Sequence, residues 1–258
     1  MAITISIALQ KGGVGKSTTA QALASTLGFK GYRTLLVDMD AQGNVTYSSG
    51  IDNTDTSVTD VLGGECKATD AIQKCKYYDI IPADSYLTNV EMTENVESTL
   101  LRDALKPLNR QYDFIVIDTP PALGHLSINA LTASDYVIIP TEPRPFALQG
   151  LGALDQTIKS VQKNTNHKLK VLGILLIKYN TRTVLNRQIT EWIEETAKEM
   201  NTEVFNKTIR EGIAVAEAQT ERTPLIDYAK NSKPNVDYKG FTSEVLRKLS
   251  IIGDKDNG

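Results

Sequence analysis

A chain of 258 residues, 41% hydrophobic and 23% charged, with a net charge of −3, has the make-up of an ordinary globular protein. The charge balance excludes a wholesale nucleic-acid coat, though not a local basic patch, and no stretch is apolar and long enough to span a bilayer. Cys66 and Cys75 are too far apart for a CxxC metal pair and read as reduced thiols. With Met1-Ala2-Ile3 running straight into a strand pattern and no signal peptide, the expected location is the cytoplasm. Residues 1–258 suit one α/β domain, because such sheets often exceed the usual domain size without dividing.

The first element is a β-branched apolar run, Ile3–Leu9, which reads as a buried strand. Gln10–Thr19, QKGGVGKSTT, follows it and opens an Ala/Leu-rich stretch, Ser17–Phe29, whose Ala20, Leu23, Ala24 and Leu27 fall on one helical face. Strand, Gly-rich turn and helix are the context of a phosphate-binding P-loop. Gly12, Gly13 and Gly15 allow a tight turn whose backbone N–H groups, including those of Val14 and Thr18, converge on phosphates. Lys16 can reach the β- and γ-phosphates, the Ser17 hydroxyl can ligate Mg²⁺, and the helix dipole adds to the attraction. Gly28 and Gly31 are expected to loosen the end of this helix.

Thr34–Asp38 is the next apolar strand and runs into Met39-Asp40-Ala41-Gln42-Gly43-Asn44. Strand C-termini in open α/β sheets face the ligand crevice, so Asp38 and Asp40 are candidate functional carboxylates. The alternative is that Asp40–Gly43 is only a turn. Ser57–Leu62 and Ala68–Lys74 look like short helices separated by a Gly63-Gly64 turn, and Tyr78–Pro82 like a short strand. Glu97–Asn109 has helical periodicity, with Pro107 near its end. Tyr112–Asp118, YDFIVID, is a third strong strand ending in a carboxylate. Beside a P-loop this is the Walker B pattern, with Asp118 near Mg²⁺.

The remaining elements are a helix at Leu126–Ala133, a strand at Tyr136–Pro140, a helix at Phe146–Val161 and a buried strand at Leu169–Ile177. A helix at Val184–Met200, an edge strand at Glu203–Phe205 and a closing helix at Val236–Leu249 complete the chain. The alternation predicts an α/β fold: a doubly wound, mostly parallel sheet flanked by helices, the three-layer α/β/α arrangement of P-loop NTPases.

KGGVGKST resembles the deviant Walker A motif of the ParA/MinD class of P-loop ATPases, whose signature is a lysine at the position of Lys11. VDMDAQGN and FIVIDTPP resemble two further motifs of that class, with Ala41 where proline is common. The resemblance implies that Lys11 reaches across a dimer interface to the partner's ATP, and that Asp40 orients or activates the attacking water. It also implies that the segment after Asp118 senses the γ-phosphate, and that TEPRPFALQGL leads into an interface helix. Asn180 matches a position beside the base, making it a candidate adenine contact, with a turn asparagine as the alternative. Thr208–Ala218 resembles the segment that closes over the base, but Ile209 and Glu211 depart from the family's proline and asparagine.

Within the class, the polar, acidic last residues lack the amphipathic helix of a MinD-type positioning ATPase, and cluster cysteines of the iron–sulfur relatives are missing. The chain starts at the P-loop strand, without the helix-turn-helix domain of larger ParA proteins. The small ParA, or Soj-like, branch remains. It implies an Mg-dependent ATPase that forms a homodimer on ATP, binds DNA without sequence preference, joins the nucleoid when ATP-bound and is stimulated by a ParB-type partner. DNA-phosphate candidates are Lys207, Arg210, Arg222, Lys230, Lys233, Lys239, Arg247 and Lys248, with Arg210 first because it matches a family arginine. Each taken alone is more often a solvated surface charge, and acidic residues are interspersed. A metabolic P-loop ligase or kinase on the same scaffold is the competing class.

Overall fold

The computed structural model describes residues 1–179 and 184–250. Its strands are β1 (Ile3–Ile7), β2 (Thr34–Asp38), β3 (Gln73–Lys74), β4 (Asp79–Ile81), β5 (Phe114–Asp118), β6 (Tyr136–Thr141) and β7 (Lys170–Leu176). They form one sheet in the order β3-β4-β2-β5-β1-β6-β7, parallel throughout except for the antiparallel β3–β4 pair. The expected doubly wound parallel sheet is therefore present, and β1 lies inside it, between β5 and β6.

Both faces of the sheet are covered, which is why its strands read as continuous apolar runs rather than alternating ones. In β2 and β5, Leu36, Phe114 and Val116 pack into the core on one face, while Leu35, Val37, Ile115 and Ile117 pack into the core on the other. Helices α1 (Lys16–Phe29) and α11 (Lys233–Lys248) pack together on the first face. The other face carries α3 (Val58–Gly63), α5 (Leu100–Leu105), α6 (His125–Ala133), α7 (Ala147–Asn164) and α8 (Val184–Glu199).

Four short helices lie outside the expectations: α2 (Asn44–Ser48), α4 (Leu87–Met92), α9 (Ala214–Thr220) and α10 (Leu225–Tyr228). Each has seven residues or fewer, too short for periodicity to reveal. The helix expected at Ala68–Lys74 is absent. Residues 73–74 instead extend the sheet edge as β3, against β4. Residues 203–205 contribute only an isolated parallel bridge, Val204 to Ile174, and a second bridge joins Ile209 to Ile177. The helix at residues 97–109 shortens to α5 and ends as a 3-10 turn, Lys106–Arg110, where Pro107 lacks the N–H to continue it.

Gly28 does not loosen α1. A Cβ there would lie 1.6 Å from the Tyr77 carbonyl oxygen, so the glycine lets helix and loop touch backbone to backbone. Gly31, at φ +89°, makes the turn that follows. Among the described residues no helix is long and apolar enough to cross a membrane.

Candidate nucleotide site

The ends of β1, β2 and β5 converge because the strands are in register: Ile7 pairs with Asp118, and Asp118 with Asp38. Beyond Ile7 the chain turns through Gly13 (φ +73°) and Gly15 (φ +70°), left-handed conformations that glycine adopts without strain. At Gly15 a Cβ would also stand 2.8 Å from the Ile177 side chain, so the loop sits tight against the end of β7. Gly15 is the residue before α1, and no side chain caps the helix, so its first N–H groups point toward the loop's concavity. The Val14 side chain is buried in the core, leaving only its backbone for a ligand.

The Lys16 ammonium is buried and donates to the Lys11 carbonyl at 3.0 Å. Burial lowers its pKa, while the carboxylates of Asp118 and Asp40 oppose that shift. The Lys11 ammonium, by contrast, makes no hydrogen bond or ion pair among the described residues; only its backbone is engaged, N–H to the Leu9 carbonyl.

The three carboxylates differ. Asp38 is fully buried and accepts from the Thr46 N–H at 2.9 Å, the Thr46 hydroxyl at 2.8 Å and the Asp40 N–H at 3.1 Å. Burial pushes its carboxyl up to about 6 against those bonds. Asp40 accepts from the Gln42 N–H at 3.1 Å, and the Gly43 N–H reaches the Asp40 carbonyl at 2.8 Å. The strand has ended, so Asp38 and Asp40 do not share a strand face. Asp40 is a turn residue and also lines the cleft, and the two readings of it are compatible.

Asp118 is fully buried, and neither carboxylate oxygen has a hydrogen-bond partner. Burial and the neighbouring Asp38 raise its pKa well above the ordinary range. The Ser17 hydroxyl and the Lys16 charge pull the other way, the hydroxyl without reaching hydrogen-bond geometry. A buried, unpartnered carboxylate is expensive for a fold to hold, so it needs a donor or cation that the chain itself does not supply.

The cleft over the loop has a volume of about 1020 Å³, at the upper limit for small-molecule sites. Gly12, Gly13, Gly15, Lys16, Ser17 and Thr18 line it together with residues 209–213.

A family model described as an AAA domain matches residues 2–171. Sporulation initiation inhibitor protein Soj of Bacillus subtilis is 38% identical over 248 residues, which is 93% of this chain and 97% of Soj. Chromosome partitioning protein ParA of Caulobacter vibrioides is 36% identical over 253 residues, 95% of this chain and 94% of that protein. The chain belongs to the ParA/Soj family of P-loop ATPases. Among solved structures, cobyrinic acid a,c-diamide synthase from Mycobacterium smegmatis, with bound ADP and magnesium, has a TM-score of 0.83 and 32% identity, covering 99% of this chain and 98% of that one.

The ParA/Soj-type loop in this chain is reinforced by residues outside the loop itself. Lys178 (φ +48°) donates to the Gly13 carbonyl at 3.3 Å and pairs at 2.6 Å with the buried Glu142, which also pairs with Arg144 at 2.5 Å. Gln219 donates to the Thr18 hydroxyl at 3.0 Å, and the Thr19 and Tyr238 hydroxyls meet at 3.2 Å. These contacts to the loop and α1 span 165 to 219 positions in sequence, so no local pattern announces them. Asn180 lies outside the described residues.

The basic residues separate into two groups. Arg210 lines the cleft, held by Asp237 through its N–H at 3.0 Å and its guanidinium at 2.8 and 2.6 Å. That pairing raises its pKa further. Arg222 pairs with Asp52, stacks on Tyr47 and donates to the Tyr47 and Ile51 carbonyls, tying two loops together. Lys248 pairs with Glu203 over the Phe205 ring. Lys239 lies over Phe29, while Lys207, Lys230, Lys233 and Arg247 are exposed.

Proposed function

We propose that this chain is a ParA-type partition ATPase, acting as one ATPase domain over residues 1–258. It binds Mg·ATP, forms a homodimer on ATP, binds DNA without sequence preference and hydrolyses ATP slowly until a ParB-type partner stimulates it. The observation that carries the reading is the buried, unpartnered Asp118 beside Lys16 and Ser17. That donor set fits Mg²⁺, which keeps several waters and takes one or two protein ligands plus substrate phosphates. It also agrees with the lack, among the described residues, of any cluster of three His, Cys, Asp or Glu side chains suited to a metal.

In this reading the loop N–H groups and Lys16 hold the triphosphate, and Ser17 and Asp118 hold the cation directly or through water. A cation held there would supply charge neutralisation for the phosphates. Asp40, kept in place by its own turn and by Asp38, orients the attacking water. The exposed Lys207, Lys230, Lys233 and Arg247, with the half-buried Lys239, supply phosphate contacts to DNA, and Arg210 supports the cleft wall instead. A cytoplasmic location, with the nucleoid joined on ATP binding, follows from those contacts.

The similarity to cobyrinic acid a,c-diamide synthase favours a second reading, amidation of a small molecule by the same scaffold. Lys11 separates the two. Across a two-fold axis its ammonium would meet the partner's ATP, offsetting repulsion between two highly charged nucleotides. Coulomb attraction at ~4 Å is about 4 kcal/mol at an effective dielectric near 20, before desolvation. Sedimentation with a non-hydrolysable ATP analogue should give a dimer for wild type and a monomer for Lys11→Ala, with nucleotide still bound by both. A wild-type chain that remains monomeric with the analogue, and fails to retain DNA, would favour the small-molecule reading.

A further inference from the structure

The segment between Asp118 and α6 passes Pro121 into the cleft and ends at Gly124, just before α6. Its hold at the near end is the Thr119 hydroxyl on the Ile7 carbonyl, 2.9 Å, and in the middle the Ser127 hydroxyl on the Ala122 carbonyl, 2.5 Å. At the far end the hold comes from another element. Glu91, on α4, accepts from the Leu126 N–H at 3.0 Å. Its carboxylate lies so close over Gly124 that a Cβ there would stand 1.5 Å from Oε1. Gly124 has φ −93°, so it is not glycine for the sake of a left-handed turn; the space is what matters. An acidic side chain over the first turn of α6 also complements the helix dipole.

We propose that Glu91 is a positioning residue for the phosphate-facing segment 119–124: it locks the far end of that segment to α4 and so fixes where Pro121 stands in the cleft. Leu87 anchors α4 in the core, and the Asp84 carboxylate caps its start by accepting from the Tyr86 and Leu87 N–H groups. Exposed side chains stand at both ends of the same short element, Tyr86 just before it and Met92 at its last position. Glu91 thus connects a surface element to the nucleotide cleft through one carboxylate and one glycine. The role in turnover rests on the ATPase reading; the contact itself does not.

The test is a double-mutant cycle on Glu91 and Gly124 in the full chain, read by amide exchange at residues 124–127 and by steady-state ATP turnover. Glu91→Ala should speed exchange at Leu126 and lower kcat about tenfold, with KM for ATP changed by less than about twofold, because the segment is misplaced while the P-loop is intact. Glu91→Gln keeps an acceptor and should restore most of both readouts. Gly124→Ala evicts the carboxylate and should mimic Glu91→Ala, whereas the double variant should be no worse than Glu91→Ala alone, since the methyl then has room. Additive losses, an unchanged Leu126 exchange rate in Glu91→Ala, or normal turnover despite faster exchange would overturn the proposal. Absence of turnover in the wild-type chain would count instead against the ATPase reading, and the exchange cycle would still judge the contact.

Discussion

Asp38 and Asp118 stand side by side at the ends of β2 and β5, both withdrawn from water. Asp38 takes three donors, from the Thr46 N–H and hydroxyl and the Asp40 N–H. The Thr46 hydroxyl also accepts from the Ala83 N–H at 2.9 Å, so the network links β2 to the loop after β4. Asp118 takes none. Two identical side chains at one register thus have opposite surroundings: Asp38 is satisfied by the turn that carries Asp40 and by Thr46, and both oxygens of Asp118 are left without a donor. The difference teaches that burial alone does not identify a functional carboxylate. What distinguishes the two is whether the protein satisfies the group itself.

The largest effect on this comparison should come from removing the cation that faces Asp118. Lys16→Ala should weaken ATP binding about a hundredfold, roughly 3 kcal/mol for a strong charge-assisted contact. Titration of a fluorescent ATP analogue measures it. Affinity within a few fold of wild type would show that the loop does not hold the phosphates.

Asp118→Asn should break the asymmetry from the other side. Mg-dependent turnover should fall by about two orders of magnitude, because the metal loses its one carboxylate. The nucleotide-free protein should become more stable, as a buried, unsatisfied acid is replaced by a neutral group. Melting curves with and without Mg·ATP give both answers, and a destabilised apo protein would contradict the orphaned state of Asp118.

Asp38→Ala should behave in the reverse manner. Losing a carboxylate that satisfies three donors should cost about 2 kcal/mol or more of stability, while any loss of turnover should follow from displacement of Asp40. Thr46→Val should reproduce part of the stability loss. A variant with wild-type stability and no turnover would make Asp38 itself a participant in the chemistry.

The smallest effect is a pH dependence. A carboxyl whose folded pKa is raised contributes its full stability below the unfolded value, about 4, and loses it as pH rises through the folded value. For Asp38 that loss runs up to about 6, and for Asp118 it extends higher. The stability advantage of Asp118→Asn over wild type should therefore grow from pH 5 to pH 8 in urea titrations without nucleotide. An advantage that shrinks with pH would mean that Asp118 is stabilised as the anion.

The sequence by itself determined the parallel sheet, the P-loop and the three carboxylates at the strand ends. Their signals are local: an uninterrupted apolar run marks a strand buried on both faces, and glycines beside a lysine mark a phosphate turn. Ala68–Lys74 is too short for its pattern to separate a helix from what it forms, a turn whose last two residues pair with β4. Tertiary structure alone decided which partners each side chain of the site meets. Whether Asp38 or Asp118 is satisfied depends on Thr46, which a loop returns to the strand end. How the Arg210 side chain is held depends on Asp237, 27 residues further along on α11. Why residue 124 is glycine depends on a carboxylate from α4. Hydrogen bonding and exclusion act through space, so a side chain's role was settled only once the fold had chosen its neighbours.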